Sequence, residues 1–436
     1  MKITIHRGCH EIGGSCVELQ NESDIIFLDF GMPLLEKDGT PFNMKSRAKL
    51  SGPGLVEAGV LPNINGTYKW QSNSNRVKGL LLSHHHSDHS GFARYLHPEI
   101  PIYAGEPTHQ LLELNALFTS SELFSGPKKY FNHNKPFSLG SFRITPYTVD
   151  HSAFDAYAFF IEAGGKCLFY SGDLRDHGRK PYALPALINE LTGKTIDAFI
   201  LEGTMLSNVT GNIKTEDDLE EEIVNLLQGS NSMTMAYVSA HNIDRLVTFY
   251  RAAKRCSRML VVDVYTANVL ELFGNYAGIP YPSSNFDKLK VFFPRKLTSL
   301  LAKGPNKNLA FKYRKYKITH EEITAGQEDI VMIVRPSMKD DLAKIKLKSG
   351  ANFIYSMWEG GQEEEKNALL INYTRKNKMT MHNIHTSGHA SVETLRHLVS
   401  ALNPKMVIPI HSMAPDKFSA LGANLKLLQD GKSVTL

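Results

Sequence analysis

Five times in this chain an apolar run ends on a residue able to do chemistry. "DIIFLDFG" ends on Asp29, "KCLFYSGD" on Asp173, "IDAFILEGT" on Glu202 and "MVIPIHS" on His411, while "VKGLLLS" delivers "HHHSDH". Continuous apolar runs bounded by glycine and polar residues read as strands buried on both faces. Such strands need other layers on each side, so the chain must be a layered α/β protein. Its polar strand ends lie where scaffolds of this kind place functional groups. The opening stretch, "KITIHRG" and "SCVELQ", alternates around Gly13-Gly14 as a hairpin would.

The character changes after Thr204. "TEDDLEEEIVNLLQGS" reads as a helix capped by Thr215 with Asp218 three residues on, apolar at Leu219, Ile223, Leu226 and Leu227, and ended by Gly229. Strand and helix then alternate through "MTMAYVS", "NIDRLVTFYRAAKRCS", "RMLVVDV" and "ANVLELFG", with further strands in "EDIVMIVRPS" and "GANFIYSMW", as βαβ units do. From Trp358 onward strand-tip histidines return in "NIHTSGHAS" and "MVIPIHS". A chain of 436 residues exceeds what one core serves. The economical division is a first domain from residues 1–204 and 357–436, interrupted by a parallel α/β domain at 205–356.

Composition is that of an ordinary soluble enzyme, with 42% hydrophobic and 21% charged residues. No run approaches the roughly 18 apolar residues of a membrane span, and no signal peptide is evident at the N-terminus. Cys9, Cys16, Cys167 and Cys256 form no C-x-x-C pair, which points to a reducing, cytoplasmic setting without a disulfide framework. The net charge of +5 permits a polyanionic partner. Two basic stretches lie in the inserted block, "NLAFKYRKYKITH" and "LAKIKLKSG". Basic–aromatic interleaving suits nucleic acid, and it equally suits a solvated face over core aromatics.

His84, His86, Asp88 and His89 make H-x-H-x-D-H. On an extended segment or a tight turn His84, His86 and Asp88 fall to one side and His89 swings in beside Asp88. Imidazoles with a carboxylate suit zinc, then manganese or iron. Four ligands in six residues are too many for one tetrahedral ion with an open position, so the spacing points to two metals. His151 in "YTVDHSAFD", Asp173 and His411 offer further ligands, and one carboxylate at Asp173 can give an oxygen to each metal. His85 is expected to point away.

This ordered set resembles the metallo-β-lactamase superfamily and, within it, the β-CASP nucleases of the RNase J and cleavage-factor kind. The motifs are Asp29, then 84–89, His151, Asp173, Glu202 after the next strand, His389 after the insertion, and His411. The resemblance implies a four-layer αββα fold with an inserted parallel α/β (β-CASP) domain. It implies two Zn²⁺, with Mn²⁺ an alternative: His84, His86 and His151 on one, Asp88, His89 and His411 on the other, Asp173 between them. It further implies a dizinc phosphodiesterase in which hydroxide bridging the metals attacks phosphorus. Asp88, Glu202 and His389 are then the catalytic residues, His389 acting as general acid oriented by Glu202, while Asp29 supports a ligand.

A histidine at the last motif goes with RNA-processing members, so the implied substrate is single-stranded RNA, cut internally or from a 5′ end. Ser387, Gly388 and His389 resemble a phosphate-binding turn, and Arg335 and Arg245 are candidate phosphate contacts. For Arg245 a structural salt bridge fits as well. RNase J carries a further C-terminal domain, whereas this sequence stops 25 residues after His411; dimerisation that depends on that domain is not implied. The alternatives are a DNA nuclease of the same fold and a scaffold without catalysis. Small-molecule hydrolases of the superfamily lack the insertion.

Overall fold

The computed structural model describes residues 1–436 except 73–74, 208–212, 304–305, 359–360 and 363–364. The chain divides into two compact units: 1–113 with 121–212 and 388–436, and 114–120 with 213–387. The strands of the first unit are, in order, β1 (Lys2–Arg7), β2 (Cys16–Asn21), β3 (Asp24–Leu28), β4 (Val77–Leu81), β5 (Ile102–Ala104) and β6 (Lys128–Tyr130). There follow β7 (Phe137–Leu139), β8 (Phe142–Val149), β9 (Ala156–Ala163), β10 (Lys166–Tyr170) and β11 (Ala198–Glu202). The second unit holds β12 (Thr234–Tyr237), β13 (Met259–Asp263), β14 (Leu289–Phe292), β15 (Ile330–Val334), β16 (Asn352–Tyr355) and β17 (Thr380–Asn383). β18 (Val407–Ile410) and β19 (Lys432–Thr435) return to the first.

The first unit builds two mixed sheets, ordered β19-β1-β2-β3-β4-β5-β6 and β18-β11-β10-β9-β8-β7. They pack face to face: one buried cluster takes Ile3, Val17, Ile26 and Leu81 from the first sheet and Ile144, Phe159, Leu168, Ile200 and Ile408 from the second. The outer face of the second sheet, through Phe160, Phe169 and Phe199, lies against Leu184 and Leu187 of the helix Ala183–Leu191 and Leu395 and Leu398 of the helix Val392–Leu402. Phe27, Leu80 and Ile102 on the far side of the first sheet meet Leu55 and Phe92. Helix, sheet, sheet and helix give the four layers expected, and burial on both faces is why these strands lack alternation. Burying Phe, Leu or Ile side chains at this density stabilises the unit by about 1.5–3 kcal/mol each.

The second unit is a six-stranded sheet, β14-β13-β15-β12-β16-β17, in which every pairing is parallel. The helix Glu216–Gln228 starts on the anticipated capping box of Thr215 and Asp218 and stops at Gly229. The sequence puts the return to the first domain at residue 357, but this sheet continues beyond it. The helix Glu365–Lys376 leads to β17, which pairs with β16, and the first unit resumes only at Gly388. "TMHN" is a largely exposed edge strand with no buried apolar residue, so its sequence carries no strand signal. Among the described residues no helix is long and apolar enough to cross a membrane.

Candidate metal centre

The site belongs wholly to the first unit and is assembled from strand ends. β10 runs parallel to β11, and β11 to β18, so Asp173, Glu202 and His411 leave their strands at the same end of one sheet. β3 runs parallel to β4 in the other sheet, which does the same for Asp29 and the histidine cluster. Ser87–Ser90 is a single helical turn, so His84 and His86 precede it on the loop while Asp88 and His89 project from it. The tight-turn alternative is the one adopted. Three bonds from neighbouring backbone hold the turn: Ser15 N–H donates to the Asp88 carbonyl, Phe30 N–H to that of His89, and Met32 N–H to that of Ser87. Asp29 and His411 both have left-handed backbone, at φ 57° and 54°.

The side chains converge in overlapping groups whose ligand atoms lie within 4.8 Å of one another: His84, His86 and His151; Asp88, His89, Asp173 and His411; and Asp173, Glu202, His389 and His411. Asp173 Oδ2 stands 3.8 Å from His84 Nε2, 3.8 Å from His151 Nε2 and 3.1 Å from His89 Nε2. His411 Nε2 is 3.2 Å from Asp88 Oδ2. His389 Nδ1 is 3.2 Å from Glu202 Oε1 and 3.8 Å from Asp173 Oδ2. His85 belongs to none of these groups; its ring is buried, edge-on to that of His86 at 4.9 Å.

The donor set fits divalent cations. His151 Nδ1–H donates to the Gly388 carbonyl (2.5 Å), and His89 Nδ1–H to Asp29 (2.8 Å), which leaves a ring-nitrogen lone pair of each directed at the centre. His89 Nε2 and Asp173 Oδ1 are buried without a hydrogen bond among the described residues. Buried polar atoms left in this way cost free energy unless something else meets them.

Electrostatics point the same way. Burial pushes His84 and His151 well below the usual imidazole range and brings His86 to about 4, so these three are neutral, as ligation requires. Burial also opposes ionisation of Asp88 and Asp173. The hydrogen bond from His411, with His89 near by, nonetheless holds Asp88 at about 2, and His411, His89 and His389 hold Asp173 well below the carboxylate range. In His89 burial is outweighed by Asp173 and Asp29, which raise it: the two carboxylates call for positive charge here, and a bound cation would supply it with the ring neutral.

Asp29 belongs to none of the ligand groups and meets them through His89. Its carboxylate, fully buried, accepts from Ser83 N–H, Ser83 Oγ–H and Tyr170 O–H, each at 2.7 Å, besides His89. Thr204 has a part that sequence reasoning missed: its Oγ1 lies 2.8 Å from His411 Nδ1 and 3.1 Å from His389 Nδ1, while its N–H donates to Glu202 Oε2 at 2.9 Å. Its one sequence signal is its place two residues after Glu202. Burial pushes the His389 imidazole down, but the carboxylates of Glu202 and Asp173 outweigh this and lift it to about 9.

The expected phosphate contacts divide. Arg245 is fully buried, bonded to Glu216 at 3.0 Å and to Ser356, with Thr248 also on Glu216. It holds the inserted unit together and has no surface to offer a phosphate, so that expectation is corrected to the salt bridge. Arg335 keeps 23% exposure while pairing with Asp263 and reaching Thr266 Oγ1 at 2.8 Å. Ser387 ends the second unit, and Gly388 and His389 begin the next segment of the first.

Two family models match the chain: a beta-lactamase superfamily domain over residues 58–231, and a Zn-dependent metallo-hydrolase RNA specificity domain over residues 376–426. The first takes in every converging residue from His84 to Glu202, and the second takes in His389 and His411. The chain belongs to the metallo-β-lactamase superfamily, in its RNase J-like, β-CASP branch. Among the relatives of this β-CASP protein, Ribonuclease J of Helicobacter pylori is 23% identical over 100% of the chain and 60% of its own length. Ribonuclease J of Synechocystis is 24% identical over 94% and 60%, and Ribonuclease J 1 of Streptococcus pyogenes 22% over 93% and 67%. The chain thus spans about 60% of the length of the first of these relatives. A crystal structure of a protein of unknown function from Enterococcus faecalis shares the fold, with a TM-score of 0.79 at 21% identity, covering 100% of this chain and 99% of that one.

Proposed function

We propose that this β-CASP protein is a metal-dependent ribonuclease that hydrolyses phosphodiester bonds of single-stranded RNA, from within or from a 5′ end. The observation that carries the reading is the convergence of nine ligand-type side chains from segments far apart in sequence, together with the match to an RNA specificity domain around His389 and His411. His84, His86 and His151 would hold one cation, and Asp88, His89 and His411 the other, with Asp173 between them. Zn²⁺ is the expected ion and Mn²⁺ the alternative. Two bound cations supply activation of the attacking water and neutralise charge on the phosphate.

The remaining work falls to the chain. Asp29 fixes the ring and tautomer of His89, and the Gly388 carbonyl does the same for His151. His389, kept protonated by Glu202, donates its proton to the leaving oxygen. Thr204 sets the spacing of the His389 and His411 rings. Ser387, Gly388 and Arg335 are the candidate phosphate contacts; the Arg335 side chain is partly exposed, although its guanidinium already pairs with Asp263.

Matched 5′-labelled single-stranded RNA and DNA, incubated with the protein and with His84→Ala, test the reading. RNA cleavage that disappears in the variant is expected. Equal cutting of DNA, or cleavage that survives the substitution, would overturn it.

A further inference from the structure

Ten of the chain's 49 Lys and Arg residues, and none of its 44 Asp and Glu, fall between residues 288 and 317. The other 406 residues therefore hold 39 basic against 44 acidic side chains, so the net +5 is the property of one short segment. The described residues of that segment are folded. β14 is the outermost strand of the inserted sheet, and the bridge between Val291 and Lys317 lays the end of the segment beside it. Between them lie the short helices Arg295–Ala302 and Lys307–Phe311. Tyr313 is 2% exposed and anchors the stretch to the helix Val264–Gly274 through Ala267 O and Glu271.

Like charges at this density repel one another and normally leave a segment disordered. Here Lys312 pairs with Glu271, but Lys296, Lys303, Lys307, Lys315 and Lys317 are exposed and have no ion-pair partner among the described residues. One or two lysines would suffice to protect an edge strand from wrong pairing; eight lysines and two arginines do not follow from that need. Phe311 and Tyr316 are half-buried among these cations, and the Arg314 guanidinium sits 4.5 Å from the Phe311 ring. Cations that track a backbone, with aromatic faces between them, are the chemistry of single-strand binding.

We propose that this basic shoulder of the inserted unit is a second binding surface for single-stranded RNA, built from residues other than those of the metal centre and working by phosphate neutralisation with partial base stacking. The inference rests on RNA as the substrate, but it concerns binding and not cleavage. The test uses the full chain in a chelator, so that no RNA is cut, and a fluorescent single strand of about 30 nucleotides titrated at several salt concentrations. Lys296, Lys303, Lys307 and Lys315 are changed together to Gln. A control carries the same charge change at Lys2, Lys417, Lys426 and Lys432, which are exposed on the first unit.

The shoulder variant should bind roughly tenfold or more weakly near 0.1 M salt, with the slope of log K against log salt reduced by roughly 2–3, at about 0.7 for each phosphate no longer neutralised. The control should shift by less than about twofold if binding is local and not a net-charge effect. Unchanged affinity in the shoulder variant, an equal loss in the control, or tighter binding of a duplex than of the single strand would each overturn the proposal. Local loss of binding in a protein that cleaves no RNA when metal is restored would leave this surface standing and remove the ribonuclease reading instead.

Discussion

Replacing Asp29 by Asn separates support of the metal centre from ligation itself. The residue sits at φ 57°, a conformation that asparagine tolerates, so the backbone has no reason to move. What changes is hydrogen bonding. One carboxylate oxygen accepts from Ser83 N–H; the other accepts from Ser83 Oγ–H, Tyr170 O–H and His89 Nδ1–H. An amide has one acceptor oxygen, so in its better orientation the NH₂ group faces the Ser83 N–H. A buried donor left unpaired in this way costs about 1–3 kcal/mol.

His89 keeps a partner but loses the anion that made its far nitrogen a strong donor to metal. Loss of such a partner typically weakens metal affinity by about 10–100-fold, or roughly 1.4–2.7 kcal/mol. Zinc titration of metal-free protein against a competing chelator, in parallel with urea unfolding, reads both effects. Two binding steps are expected. The step assigned to Asp88, His89 and His411 should move in the variant by that factor, and the step assigned to His84, His86 and His151 should hardly move. Two steps with wild-type affinities in the variant would refute the argument that Asp29 acts through His89.

Chelation should lower the unfolding midpoint of the first unit, since a cation that binds the folded centre stabilises it by mass action; calorimetry with and without zinc would show no difference if the centre binds no metal. Arg245→Ala removes the cation that faces the buried Glu216 carboxylate, and should destabilise the inserted unit by about 3–5 kcal/mol in urea melts. Gly31→Ala should lose metal binding, because a Cβ there would lie 1.7 Å from the Asp88 carbonyl oxygen and must push the ligand turn away. Thr204→Val should lower kcat by roughly 10-fold or more at unchanged fold, since it removes the hydroxyl between His389 and His411. Burial raises the Asp155 carboxyl despite its bonds from Thr108, so its contribution is favourable at acid pH and is lost as pH rises through the folded value. Asp155→Asn should therefore lose less stability than wild type as pH rises above the usual carboxylate range in chelator-treated urea melts.

The local sequence determined a good deal. Doubly buried strands announce themselves as unbroken apolar runs, and the residue at each tip is then placed at a strand end without any knowledge of the fold. The capping box at Thr215 and Asp218 and the stop at Gly229 are equally local, and so is the density of ligand types at 84–89. Tertiary structure decided what depends on partners distant in sequence. Arg245 looks the same in a sequence whether it faces solvent or Glu216, because burial is set by what packs over the helix. Thr204 became part of the site only when β11 and β18 came to lie side by side. β17 could not be read at all: an exposed edge strand takes its identity from hydrogen bonds to its neighbour β16 and not from its own side chains. Chemistry carried by residue type is written along the chain, whereas roles that arise from burial and pairing exist only once the chain has closed on itself.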